Sequence, residues 1–329
     1  MLTPPTGLSN GDLEEVIDQA WGVAVDSLEY RRVGFGSHHW VATDNLGLRH
    51  FVTVDELSSE SRIGDEVSVH GLHLRPALAA VIDLRAFGCR FVVAPITTKA
   101  DDPFVQFDSY AVALFPFIDG QSFTFEESFG EADRDQVLEV VTELHRVPIA
   151  AIRPPATDGF VVPWLDQLDR STRHSSEGVG SNGPHTAVAS QLITDNEAEI
   201  RSLIARYRTL VAQYLSDRGP VVVTHGEIHP GNVMVTSKGW VIVDWDTVLL
   251  APPERDLWRL AQGGGSVLRA YADATGTTPN EWLVDLYGIR WDLADIASFA
   301  AEFRKPHENT EDSRKALELL HSVVGRLRA

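Results

Sequence analysis

At 329 residues the chain is long enough for two compact regions, each with its own core. Forty-seven acidic residues against 28 basic ones give a net charge of −19, which argues against nucleic acid and favours a cationic small-molecule partner. No apolar run reaches the roughly 18 residues of a membrane span, the start Met1-Leu2-Thr3-Pro4-Pro5 lacks the basic and apolar parts of a secretory leader, and the lone Cys89 excludes an internal disulfide and a cysteine-based zinc site. No membrane partner and a cytoplasmic location are therefore expected.

In chain order, a helix is expected over 10–21, capped by Asn10, with Asp12, Glu14 and Glu15 at its positive end. Residues 31–42 read as a strand, a glycine turn and a second strand, and residues 48–55, rich in β-branched and aromatic side chains, as a third strand. Apolar positions at helical spacing predict a helix over 69–88, stopped by Gly88. Residues 91–96 and 110–117 are two further expected strands. These elements make a small antiparallel β-sheet lobe, 1–114, and a crossing at 115–120 leads into a larger, mainly helical lobe, 121–329. Helices are expected there at 131–147, 188–217, 253–275, 280–304 and 311–328. Ser175 to Pro184 is Ser/Gly-rich and reads as a mobile loop. A strand pair at 221–224 and 240–243 lies between the second and third of these helices, and the catalytic residues are expected where those strands end.

The chemistry is concentrated in His225-Gly226-Glu227-Ile228-His229-Pro230-Gly231-Asn232 and in Val243-Asp244-Trp245-Asp246. In the protein-kinase signature a His and an Asp two apart are followed by an Asn five residues after the Asp, and later by a metal-binding Asp. His225, Asn232 and Asp244 fall at those spacings, with Glu227 where the Asp would stand. Phosphoryl transfer needs a carboxylate to accept the proton of the attacking hydroxyl, and hard oxygen ligands for magnesium. Glu227 suits the first task; Asn232 and Asp244 suit the second. His225 is expected to brace the loop by hydrogen bonding. A competing reading takes His225, Glu227 and His229 as a metal-binding H-x-E-x-H. Zinc deaminases share the H-x-E, but they require a later P-C-x-x-C that one cysteine cannot supply.

These residues, with Leu250-Ala251-Pro252-Pro253-Glu254-Arg255-Asp256-Leu257 and Gly263-Gly264-Gly265, give the chain a clear family look. It resembles the aminoglycoside phosphotransferases, kinase-like enzymes that inactivate antibiotics with ATP, and within them the aminocyclitol branch of spectinomycin phosphotransferases. The resemblance spans most of residues 25–305, and its specific part is 220–265. It implies an α+β, bilobal protein-kinase-like fold with ATP and Mg2+ as cofactors. It also implies that backbone near Phe115, Phe117 and Ile118 holds adenine, and that Gly34, Gly36 and Ser37 cover the phosphates. By the same resemblance Asn232 and Asp244 take the magnesium role, Glu227 the base position, and Asp246 a place near the metal or in support of the loop. Glu254-Arg255-Asp256 is expected to be an internal salt-bridge network.

Two departures stand out. Glu227 carries one methylene more than the usual Asp, and a misplacement of about 1 Å costs on the order of 100-fold in rate. The second is the absence of a small-lobe lysine. The third strand reads Phe51-Val52-Thr53-Val54-Asp55, with Val54 at the expected lysine position, and Lys99 is the first of only four lysines in the chain. Arg32, His38, His39 and His50 are the remaining cationic candidates. Two functions follow: an ATP- and magnesium-dependent phosphotransferase acting on a hydroxyl of a small, cationic acceptor, or a non-catalytic kinase-like protein that binds a nucleotide or ligand. Acidic helical positions Asp292, Asp295, Glu302, Glu308, Glu311 and Asp312 either line a cationic site or form a solvated face.

Overall fold

Helix α1 (Asn10–Trp21) starts on a capping box, in which the Ser9 hydroxyl accepts from the Asp12 amide at 3.2 Å and the Asp12 carboxylate accepts from the Ser9 amide at 2.8 Å. The cap is thus Ser9, not Asn10, whose Oδ1 accepts from Trp40 Nε1 at 3.2 Å instead. This computed structural model describes all residues except 6, 35, 58–68, 174–181, 263 and 328–329, together with the side chains of 69–73. Phe35, Gly263 and the expected loop at 175–181 therefore lie outside the described residues.

Strands β1 (Val25–Arg31), β2 (His38–Asp44) and β3 (Arg49–Glu56) are followed by helix α2 (Val69–Phe87) and strands β4 (Val105–Phe107) and β5 (Tyr110–Pro116). The five strands form an antiparallel sheet in the order β1-β2-β3-β5-β4. Its register sets His39 opposite Thr53, Phe51 opposite Phe115, and Val54 opposite Val112. Side chains alternate between the two faces. Trp40, Ala42, Val52, Val54, Val112 and Leu114 are buried with Leu13 and Ile17 of α1, while Ala111 and Ala113 are buried with Leu74 and Leu78 of α2. Each fully buried Val or Leu contributes about 1.5–3 kcal/mol. By the same alternation His39, Phe51, Thr53 and Asp55 belong to the α2 face.

Residues 91–96 do not form a strand. Val92 makes one isolated parallel bridge to Ile242, and Ile96 N–H donates to Leu114 O at 2.7 Å. Pro95 has no N–H to continue a ladder. Beyond β5 come β6 (Gly120–Ser122) and α3 (Glu131–His145), then α4 (Leu165–Arg173), α5 (Thr186–Asp195) and α6 (Glu197–Ser216). The helix expected over 188–217 is broken at Asn196, whose side-chain amide donates to Leu192 O at 2.8 Å. Asn competes in this way with the helical ladder.

Strands β7 (Val222–Thr224), β8 (Val233–Thr236), β9 (Gly239–Ile242) and β10 (Leu249–Ala251) follow, then α7 (Glu254–Leu257), α8 (Ser266–Thr275), α9 (Glu281–Glu302) and α10 (Glu311–Arg326). The strands near 221 and 240 do not pair with each other: β7 pairs with β10, and β9 with β8 in a sheet shared with β6. The helix expected over 253–275 is two helices, α7 ending at Leu257 and α8 beginning at Ser266.

The chain divides into two compact units, Met1–Asp158 with Pro220–Thr278, and Gly159–Gly219 with Pro279–Ala329. The first holds the five-stranded sheet and both halves of the candidate catalytic loop. The second is helical; Ile200, Ile204, Leu286 and Ile296 are buried in it, and Tyr207 OH donates to Phe160 O at 2.6 Å. None of the described helices is long and apolar enough to cross a membrane.

Candidate active site

The loop after β7 is held by main-chain hydrogen bonds to buried side chains. The amides of His225 and Gly226 donate to the two oxygens of Asp256, at 2.9 and 2.5 Å. His145 Nε2 reaches the same carboxylate at 3.0 Å, and its Nδ1 meets Tyr271 OH at 2.9 Å. Burial pushes the Tyr271 hydroxyl up, so it remains a donor. The Asp256 carboxyl is held below its ordinary range: burial opposes this, and the His145 hydrogen bond and the Arg255 charge outweigh it.

His225 is fully buried and its tautomer is fixed from both sides. Its Nδ1 accepts from the Glu227 amide at 3.1 Å, so Nε2 carries the hydrogen and donates to Val243 O at 3.0 Å. Burial lowers its pKa to about 4, which makes it a neutral strut between the two halves of the site. Thr247 Oγ1 donates to His225 O at 2.7 Å, and Arg255 donates to Thr224 Oγ1 and to Thr247 O, both at 2.8 Å. Gly226 has φ +99°, and a Cβ there would run into the Arg255 guanidinium. The 254–256 segment is thus braced by hydrogen bonds to the loop and neighbouring strands, and the Arg255 charge acts on Asp256 as well.

The Glu227 side chain is one-third exposed, with a carboxylate oxygen 4.0 Å from His229 Nε2. Its carbonyl accepts from the His229 amide at 3.0 Å and from Asn232 Nδ2 at 3.2 Å. With Nδ2 so engaged, Oδ1 is the Asn232 atom suited to a hard cation. The Val243 amide donates to Asn232 O at 3.0 Å, which sets Asn232 beside the start of the Asp244 segment. Asp244 is exposed and adopts φ +65°, a conformation that costs a non-glycine residue energy and that clusters at functional sites. Among the described residues no group of three His, Cys, Asp or Glu side chains is clustered to hold a metal ion; magnesium, which keeps several waters and binds substrate phosphates, needs fewer protein ligands, and Asn232 Oδ1 and the Asp244 carboxylate are oxygen donors that could serve it. The H-x-E-x-H reading finds no such cluster either. His229 instead packs edge-on to Phe125 at 4.9 Å, and its pKa is lowered to about 3 by burial first and the Arg259 charge second. Asp246 is half-buried next to Trp245, whose indole donates to Ile242 O at 2.7 Å.

In the small sheet Gly34 and Gly36 have φ +70° and +107°, and Ser37 Oγ donates to Asp55 at 2.5 Å. Phe115 and Pro116 end β5; Phe117, half-buried like Ile118, lies under the Arg49 guanidinium at 4.0 Å. The lysine position is corrected by the pleat. Val54 is wholly buried against α1, so Thr53 occupies the matching place on the α2 face. Lys99 donates to Asp18 O and Gln19 O at the end of α1, at 3.0 and 3.2 Å. Of the other cations, His38 faces Tyr30 OH at 3.1 Å and His50 faces Asp44 at 3.4 Å. In the second unit Asp292 pairs with Arg326 at 2.8 Å and burial raises the Glu302 carboxyl.

A glycine turn on an antiparallel sheet, a braced His-x-Glu loop and an Asp at the end of the next hairpin define a kinase-like phosphotransferase fold. The chain belongs to the phosphotransferase enzyme family, whose profile matches residues 40–287. Among curated relatives it is similar to Protein StrN of Streptomyces griseus, 26% identical over 254 residues that cover 75% of this chain and 76% of that one. Among solved structures it is similar to spectinomycin phosphotransferase APH(9)-Ia in complex with ADP and spectinomycin, with a TM-score of 0.74, 20% identity and 98% of each chain covered. The GDP and kanamycin complex of APH(2")-IIia gives a TM-score of 0.57 and 13% identity, covering 95% of this chain and 98% of that one.

The motif at 254–256 points to Asp256 as part of a structural network, but its partners, the His225 and Gly226 amides, lie 31 and 30 residues away and carry no local signal.

Proposed function

We propose that this protein transfers the γ-phosphoryl group of ATP to a hydroxyl of a small cationic acceptor of the aminocyclitol or aminoglycoside kind. Glu227 accepts the proton of the attacking hydroxyl; the new oxygen–phosphorus bond forms as the bond to the departing ADP oxygen breaks. Asn232 Oδ1 and the Asp244 carboxylate are the groups that would hold magnesium. When bound, the metal neutralises charge on the β- and γ-phosphates. His225, Asp256 and Arg255 keep Glu227 and Asn232 in fixed relation. The small lobe, 1–114, and the hinge at Phe115, Phe117 and Ile118 would receive the nucleotide, with Gly34, Gly36 and Ser37 over its phosphates. The ADP and spectinomycin bound to APH(9)-Ia, and the kanamycin bound to APH(2")-IIia, support this reading of nucleotide and acceptor. A net charge of −19 supports a cationic acceptor.

The observation that carries the proposal is the partly exposed Glu227 carboxylate on a loop whose own carbonyl fixes Asn232. A phosphate-transfer assay with ATP and magnesium over aminocyclitols, aminoglycosides and simple amino alcohols tests it. Turnover with one acceptor class is expected. No turnover with any, together with no nucleotide binding by calorimetry, would overturn it.

One observation favours a non-catalytic, ligand-binding reading: the α2 face of β3 presents Phe51, Thr53 and Asp55, none of them cationic. Nucleotide binding without turnover, unchanged in Glu227→Gln, would select that reading.

A further inference from the structure

We propose that His39 is a phosphate-contacting residue of the nucleotide site, filling in the small sheet the role left open by the absent lysine. The inference rests on the nucleotide-binding reading above and names a residue that the reading leaves open.

The placement follows from alternation along β2. His38 turns to the α1 side and meets Tyr30 OH, so its neighbour His39 belongs to the α2 face, opposite Thr53. His39 lies just after the glycine turn and folds back beneath it: a Cβ on Gly34 would sit 3.4 Å from His39 Nε2. The imidazole is stacked on Phe51, with ring centroids 5.1 Å apart and planes 29° apart, which fixes the ring plane. Its Nδ1 is buried and has no hydrogen-bond partner among the described residues. Buried polar atoms are nearly always hydrogen-bonded, so an imidazole without a protein partner under a phosphate-covering turn calls for an explanation.

The neighbouring groups supply it. Burial holds the His39 ring neutral, lowering its pKa to about 4, and the charge of Asp55, on the same face of β3 and occupied by Ser37 Oγ, opposes this only in part. His50 is engaged by Asp44, Lys99 by the end of α1, and Arg32 is exposed ahead of the turn. A glycine turn in a kinase-like lobe covers the phosphates of the nucleotide. Nε2, the ring nitrogen nearest the turn, is placed to donate to a phosphate oxygen in the neutral tautomer that leaves Nδ1 without a hydrogen, and a ring held by stacking needs little reordering to do so.

The test compares adenosine with ADP, both with magnesium, by calorimetry on the full chain and on His39→Ala and His39→Gln. Charge-assisted hydrogen bonds are strong enough that His39→Ala should weaken ADP binding by about tenfold or more. Adenosine, which has no phosphate, should stay within about twofold on the same basis. His39→Gln keeps a side-chain N–H and should recover part of the ADP affinity. An equal loss for adenosine and ADP, or no loss for either in a folded variant, would show His39 to be packing alone and overturn the proposal. If His39→Ala does not fold, a His39→Gln variant that loses ADP and adenosine equally overturns it in the same way. Wild-type protein that binds neither ligand would overturn the nucleotide reading itself, and this inference with it.

Discussion

The main-chain amide of His225 donates to the carboxylate of Asp256 at 2.9 Å, although 31 residues separate the two. That carboxylate also receives the Gly226 amide and His145, and it is wholly buried. Replacing Asp256 with Ala leaves two amides and an imidazole without their acceptor inside the protein. The expected loss of stability is about 3–5 kcal/mol. Asp256→Asn, which keeps one acceptor oxygen, should lose less. Urea unfolding of the two variants beside wild type checks the order, and equal stability of all three would contradict the bracing role.

Gly226 supports the same loop from the backbone. At φ +99° an alanine is strained, and its methyl group would enter the Arg255 guanidinium. Arg255 cannot retreat freely, because it donates to Thr224 Oγ1 and Thr247 O. Gly226→Ala should therefore cost about 2–4 kcal/mol and displace Glu227. A melting temperature within a degree of wild type would rule this out.

Much of this geometry was legible in the sequence, and the limits have physical causes. The loop at 225–232 stands out in the sequence because His225, Glu227, Asn232 and Asp244 fall at kinase-like spacings. The strands rich in β-branched residues were readable for the same local reason, as β2, β3 and β5 show. Strand partners were not: whether β7 pairs with β9 or β10 is decided by long-range packing. The lysine position went to Val54 because a single-residue shift along a strand reverses the face, and only the burial of Val54 against α1 reveals the parity. A cap at Ser9 rather than Asn10 and a break at Asn196 within 188–217 are hard to read because short polar side chains choose between cap, break and helix by the contacts they happen to make.

Glu227 is the residue on which turnover should depend most. Glu227→Gln keeps the size of the side chain and removes its capacity to accept a proton. It should lower kcat by about 10²–10⁴-fold while leaving nucleotide affinity nearly unchanged. Glu227→Asp restores the commoner kinase residue but withdraws the carboxylate by a methylene in a loop fixed by His225 and Asn232. That variant should also be slower, by on the order of 100-fold. Steady-state kinetics on the same acceptor separates the cases, and a Glu227→Asp enzyme faster than wild type would show that the loop is built for Asp.

Acid sensitivity should begin with histidines rather than carboxylates. Burial lowers His39 and His225 to about 4 and His229 to about 3, against an ordinary value of 6.5. Below pH 6.5 the unfolded chain takes up protons at all three positions, while the folded chain does not until pH approaches 4 and then 3. The unfolded state thus binds more protons in this window, so stability falls as the pH falls through it. Each histidine contributes up to about 1.4 kcal/mol per pH unit between roughly pH 6 and 4.5. The depressed carboxyl of Asp256 adds a further loss only below its ordinary value of 3.8. Denaturant midpoints measured from pH 7.5 to pH 5 should therefore decline steeply. His229→Gln, which removes one of the three groups, should flatten that decline by about a third if the contributions add. A wild-type profile that is flat from pH 7.5 to pH 5 would mean that none of these imidazoles is held neutral in the folded protein.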